Sequence, residues 1–137
     1  MTKDERQRKA AYFHAYFESE RPRRPARFGV ISAYNPNGRK ASLTKNRAAD
    51  ARLKRRLETL GLEHFRVTGG SRDGLHREPG WGIVVSGPAP LRRLTREFRQ
   101  DAYFWIKDGR ILLGAATGGP FRIAGSWRSR RARWARG

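Results

Sequence analysis

The chain has 137 residues, no cysteine and a formal net charge of +19. That length suits one domain around one core, and the lack of cysteine excludes disulfides and thiolate metal sites. No apolar run approaches the ~20 residues that span a bilayer, and the charged start, Met1 to Lys9, lacks the apolar stretch of a secretory signal, so the expected setting is cytoplasmic with no membrane partner.

Arginine supplies 25 of the 31 basic residues and lysine only 6. A GC-rich genome would explain the choice of Arg over Lys. It does not explain 31 basic against 12 acidic residues. Such a surface repels itself unless an anionic partner compensates, and the forked, stackable Arg side chain suits phosphates and bases. The excess concentrates at the two ends and over 42–60, whereas 61–80 is neutral and no acidic residue follows Asp108.

Taken in chain order, residues 5–19 read as a helix with Tyr12, Phe13, Tyr16 and Phe17 on one face. A basic connection, Glu20 to Arg27, leads to a strand at Phe28 to Tyr34. Asn35-Pro36-Asn37-Gly38 is a turn signal. Ser42 or Thr44 caps a helix that runs to about Leu60 and ends at Gly61. Leu43, Ala49, Leu53, Leu57 and Leu60 share one arc of it, and Lys45, Arg52 and Arg56 share the next. Asn46 and Asp50 fall inside the apolar arc and need partners, either in the Asn-Pro-Asn-Gly turn or along a cleft beside it.

His64 to Thr68 reads as a strand, Gly69 to Gly80 as a polar loop, and Trp81 to Ser86 as a strand. Pro88 and Pro90 open a short helix over 91–100. Asp108-Gly109 joins strands at Ala102 to Lys107 and Ile111 to Ala115. The expected fold is α+β: a mainly antiparallel sheet of about five strands with helices packed on one side, in the order α-β-α-β-β-α-β-β. Residues 1–117 form its single compact domain. Residues 118–137 read as a basic, extended C-terminal arm that orders on a partner. Its Arg122, Trp127, Arg128, Arg130, Arg131, Arg133 and Trp134 interleave cations with indoles, which suits phosphate contact and base stacking; the alternative is a solubilising tail.

One polar constellation keeps chemistry open. Asn35, Asn37, Asn46, His76, Glu78, Gln100 and Asp101 all sit at or near the ends of elements. His76 and Glu78 lie two apart, on one side of an extended segment, and are candidates for a general base and its orienter. The bland alternative is a loop whose Asn, Asp and His side chains fix turns. His14 and His64 stand in apolar sequence, so no metal site is expected. No Walker loop or nucleophile elbow occurs, and no cofactor is expected.

These residues together resemble a small bacterial family catalogued as domain of unknown function 3293. The likeness spans about residues 10–116. It rests on Ser32-Ala33 with Asn35-Pro36, then Asn46, then Glu78-Pro79 with Trp81, then Gln100-Asp101-Ala102. The resemblance implies one compact domain and says where a shared site would lie, but it brings no activity. One departure is Arg99, where the family commonly has Gly; a bulky cation there would crowd a small-molecule cleft or add a phosphate contact.

The leading expectation is a nucleic-acid-binding protein, RNA before DNA, gripping phosphates through Lys45, Arg52, Arg56 and the two basic ends. A subunit of a larger ribonucleoprotein, such as the ribosome, is a related reading. The alternative is an enzyme or ligand binder acting on a nucleotide-type substrate through the Asn, His, Glu and Gln cluster.

Overall fold

A computed structural model describes Lys3 and residues 10–134. Its strands are β1 (Tyr16–Ser19), β2 (Arg27–Ile31), β3 (His64–Gly70), β4 (Arg77–Val84), β5 (Ala102–Lys107), β6 (Arg110–Ala115) and β7 (Arg122–Ser126). Two helices, α1 (Leu43–Thr59) and α2 (Ala89–Glu97), interrupt them. The strands form one curled sheet in the order β1-β3-β4-β2-β5-β6-β7, and every neighbouring pair is antiparallel.

Strand side chains alternate between two faces, and here both faces are apolar. On one face Ile31, Trp81, Ile83, Tyr103 and Trp105 meet Ala49, Leu53 and Leu57 of α1 and Leu91 and Leu94 of α2. On the other, Phe28, Val30, Phe65, Val67, Ile106 and Ile111 gather around Phe17 and Trp127. Helix α2 lies so close to β2 that a side chain at Gly29 would collide with Leu91. Both α1 and α2 therefore lie on one side, as the patterning predicts.

The N-terminal expectation needs correction. Residues 10–13 are helical, but Tyr16–Ser19 is an edge strand paired with β3, and residues 5–9 lie outside the described residues. The 12, 13, 16, 17 spacing fits a helix face, yet Tyr and Phe also favour strands, and the open edge of β3 decides the outcome. Their aromatic rings still meet the sheet: Phe17 and Tyr12 pack edge-on against Phe104, with centroids at 4.9 and 6.3 Å.

Helix α1 starts at Ser42, whose hydroxyl accepts from the Lys45 N–H at 3.2 Å. Its buried stripe is Asn46, Ala49, Leu53 and Leu57, whereas Leu43 and Leu60 are exposed. The end residues of the expected arc overhang the sheet. The expected loop over 69–80 is also mostly strand, since β3 reaches Gly70 and β4 begins at Arg77. Glycine and proline conceal these strand ends because both are rare in strand interiors.

The largest departure is at the C-terminal end. Residues 122–126 add a seventh strand to β6. After a short 3-10 turn at Arg128–Arg130, the Ala132 N–H donates to the Phe17 carbonyl at 2.8 Å, beside a parallel bridge between Arg131 and Phe17. This segment therefore belongs to the sheet, spanning from its last strand to its first. The sequence reading of an arm failed because the segment has too few apolar residues to pack alone, and Trp127 and Trp134 pack into a surface made by the rest of the chain.

Candidate functional site

The Asn-Pro-Asn-Gly turn follows directly from β2. The Ser32 hydroxyl ends the strand by donating to the Pro79 carbonyl at 3.0 Å and accepting from the Tyr34 N–H at 3.1 Å. Asn35 and Asn37 then adopt left-handed backbone, with φ of 50° and 60°, a region that asparagine tolerates better than most residues. The buried Asn46 of α1 accepts from the Asn35 N–H at 2.8 Å and donates to the Asn35 side-chain oxygen at 3.0 Å. That same oxygen accepts from the Ala41 N–H at 3.0 Å. Asn35 and Asn46 thus act on each other and on the backbone. Asp50, expected beside them, instead holds Arg66 through two bonds of 2.9 Å, and the guanidinium lies 3.8 Å above the Trp81 ring.

Two contacts tie the turn to the end of α2. The Asn37 N–H donates to the Arg99 carbonyl at 2.8 Å, and the Gln100 amide donates to the Tyr34 carbonyl at 3.0 Å. Arg99 has φ of 55° and is exposed. It does not line the cleft described next, so the expectation that it crowds a ligand site is corrected: the position is demanding in its backbone, not in its space.

A cleft of about 850 Å³ opens on the face of the sheet opposite α1 and α2, with the helical stretch 10–13 beside it. Asn35, His76, Glu78 and Gln100 all line it, whereas Asn37, Asn46 and Asp101 do not. Its lining includes Gly69, Gly70, Gly80 and Ala102, aromatic rings from Tyr12 and Phe104, and Arg72, Arg77 and Arg130. Glu78 sits two residues into β4, pointing to the side away from Trp81. Burial pushes its carboxyl above the ordinary range, and a hydrogen bond with Ser32 opposes the shift. Among the described residues Glu78 joins no ion pair.

His76 belongs to the tight loop before β4. The Ser71 hydroxyl accepts the His76 N–H at 3.1 Å and donates to Asp73 at 2.7 Å. The Leu75 N–H and this hydroxyl hold the exposed Asp73 carboxyl below its ordinary range. His76 itself is exposed at the cleft rim. Among the described residues no three His, Cys, Asp or Glu side chains gather as metal ligands would, and no helix is long and apolar enough to cross a membrane.

The cations expected to grip nucleic acid divide into two groups. Lys45, Arg52 and Arg56 are exposed on the outer side of α1, although Arg56 is engaged with Glu97 of α2 at 3.0 Å. At the C-terminal end Arg122, Arg128 and Arg133 are exposed. Arg130 donates to the Phe13 and Ala15 carbonyls at 3.1 and 3.4 Å, and Arg131 donates to the Pro22 carbonyl at 3.4 Å. Neither indole offers a free ring. Trp127 is 3% exposed and stacks on Phe17 at 5.3 Å. Trp134 is 8% exposed against Gly70 and Gly74 and donates to the Arg72 carbonyl at 3.3 Å. Base stacking on these two rings is therefore withdrawn.

Sequence reasoning did not place Tyr12, Phe104 or Arg130 at the cleft. Repeated glycine in the strand-end stretches 69–70 and 80–82 was the available signal, since it marks close approach to a strand surface. No curated protein and no solved structure matches the chain. The family model described as protein of unknown function (DUF3293) matches residues 31–103, a stretch that carries the Asn35–Asn46 pair, the His76 and Glu78 strand end and Gln100. That match covers more than half of the chain, which therefore belongs to the DUF3293 family.

Proposed function

We propose that the protein binds nucleic acid, RNA in preference to DNA, through the outer surface of α1 and α2. The observation that carries this reading is the arrangement of charge. The two helices lie side by side, joined by Arg56 and Glu97 at 3.0 Å. Their solvent face exposes Lys45, Arg47, Arg52, Lys54 and Arg55 from α1 and Arg92, Arg93 and Arg96 from α2. Asp50 is withdrawn to Arg66, so it does not neutralise this surface. A broad cationic layer meets phosphates at several angles, which suits folded RNA better than a single helix placed in a DNA groove.

Fluorescence anisotropy with a structured RNA hairpin and a DNA duplex of equal length, over a series of salt concentrations, tests the reading. Tighter RNA binding is expected, with affinity falling steeply as salt rises. Combining Arg52→Glu, Arg55→Glu and Arg93→Glu should make the dependence of log affinity on log salt shallower by about two to three, at roughly 0.9 for each phosphate that is no longer neutralised. Unchanged affinity in that triple variant, or affinity indifferent to salt, would overturn it.

A further inference from the structure

The cleft on the opposite face of the sheet differs from the helix surface in kind. It is concave, and its volume of about 850 Å³ lies within the range of small-ligand sites. Gly80 and Ala102 contribute little or no side chain to it, leaving room for a flat molecule there, whereas Phe17 covers Gly69 and Trp134 covers Gly70. Tyr12 and Phe104 supply aromatic surface beside that slot, their rings packed edge to face at 6.3 Å. Glu78 and Ser32 are the polar groups on the strands beneath. Arg72, His76 and Arg77 belong to the loop and strand end that border the cleft.

We propose that this cleft binds a nucleoside monophosphate, with the base over the glycine and alanine slot, its hydrogen-bonding edge at Glu78, and its phosphate toward the arginine-bearing 72–77 segment. A carboxyl group meets the paired donor and acceptor positions of a base edge through its two oxygens. Protonated, it matches the adjacent acceptor and donor of adenine or cytosine; ionised, it matches the two adjacent donors of guanine. The half-buried carboxyl has no cation partner among the described residues, an arrangement common at binding sites. Because the sheet separates the cleft from α1 and α2, the two sites can be filled together, and this proposal stands apart from the nucleic-acid reading.

Calorimetric titration of the full chain with AMP, CMP, GMP and UMP tests it. At least one is expected to bind with Kd below ~1 mM, and Glu78→Gln and Ala102→Leu should each weaken that nucleotide by about tenfold or more. Circular dichroism melts of the two variants show whether the fold is retained; Glu78→Gln keeps the size of the side chain. The helix-surface triple variant should bind the mononucleotide as the natural chain does, while losing RNA. A mononucleotide that weakens with the triple variant instead would assign binding to the helix surface and overturn the cleft. So would the absence of binding by all four, or equal affinity in both folded cleft variants. Displacement of the mononucleotide by the RNA hairpin would reassign the slot to a base of the RNA strand rather than a free nucleotide.

Discussion

Asn46 and Asn35 exchange hydrogen bonds in both directions, backbone N–H to side-chain oxygen at 2.8 Å and side-chain amide to side-chain oxygen at 3.0 Å. One buried amide on α1 thereby fixes the left-handed turn that leaves β2. Asn46→Ala leaves the Asn35 N–H without its acceptor and opens a small void, so a loss of about 2–3 kcal/mol is expected. Urea unfolding measures it. Asn46→Asp keeps the acceptor but loses the bonds donated to the Asn35 side-chain oxygen and to the Ala41 carbonyl at 3.4 Å, and it should fare little better.

Helices α1 and α2 end in the same motif with different residues. After α1, Gly61 at φ 67° allows the Leu62 N–H to reach the Leu57 carbonyl at 3.0 Å. After α2, Arg99 at φ 55° lets the Gln100 N–H reach the Thr95 carbonyl at 2.9 Å. Both are left-handed C-terminal caps, where glycine is favoured because it has no Cβ. Arg99→Gly should therefore stabilise the protein by about 1 kcal/mol, visible as a higher melting temperature.

The raised Glu78 carboxyl makes stability depend on pH in a defined direction. In the unfolded chain it ionises near the ordinary value of 4.5. The folded state holds the proton more tightly, so the favourable contribution is complete below that value and is lost as pH rises through the higher folded value. Glu78→Gln removes this dependence. Its melting temperature should match the natural protein near pH 4 and exceed it at pH 7, by scanning calorimetry across that range.

Arg66 is held by geometry that a lysine lacks. It makes two bonds to Asp50, a third to the Gly80 carbonyl at 3.0 Å, and lies 3.8 Å over the Trp81 ring. Arg66→Lys keeps the charge but loses the forked pairing and the stacking. Since the Arg66 side chain is 34% exposed, solvent screening limits the loss to about 1 kcal/mol, readable by chemical denaturation.

Trp127 closes the core on the face opposite α1 and α2, against Phe17 and Phe28. Trp127→Ala should cost about 3–5 kcal/mol, and deleting residues 120–137 should abolish the cooperative melt rather than only weaken nucleic-acid binding.

Patterns confined to neighbouring residues were legible. The helix cap, Ser42 of the two candidates Ser42 and Thr44, the Leu53 and Leu57 stripe of α1, and the Asp108-Gly109 hairpin each depend on a few adjacent side chains. Of the seven polar residues expected to stand near one another, Asn35, His76, Glu78 and Gln100 line one cleft, whereas Asn37, Asn46 and Asp101 do not. What the sequence concealed depends on distant partners. Tyr16 to Ser19 is strand only because β3 offers an edge, and Trp134 is buried only because Gly70 and Gly74 leave room for it. Asp50 showed the need for a partner but not that Arg66, on another element, would meet it.

The return of the C-terminal segment to the first strand bears on how the chain reaches this state. Arg130 donates to Phe13, which lies 117 residues earlier in the chain, and the Phe17 carbonyl is covered by Ala132. Contacts so distant come at a high loop-closure entropy and delay the rate-limiting step. Until they form, β1 presents an unpaired edge and Phe17 lacks its indole cover, so the partly folded chain exposes a sticky strand. Its dense positive charge then has a second use: like-charged chains repel one another during that interval, which favours closure of each molecule on itself over pairing between molecules.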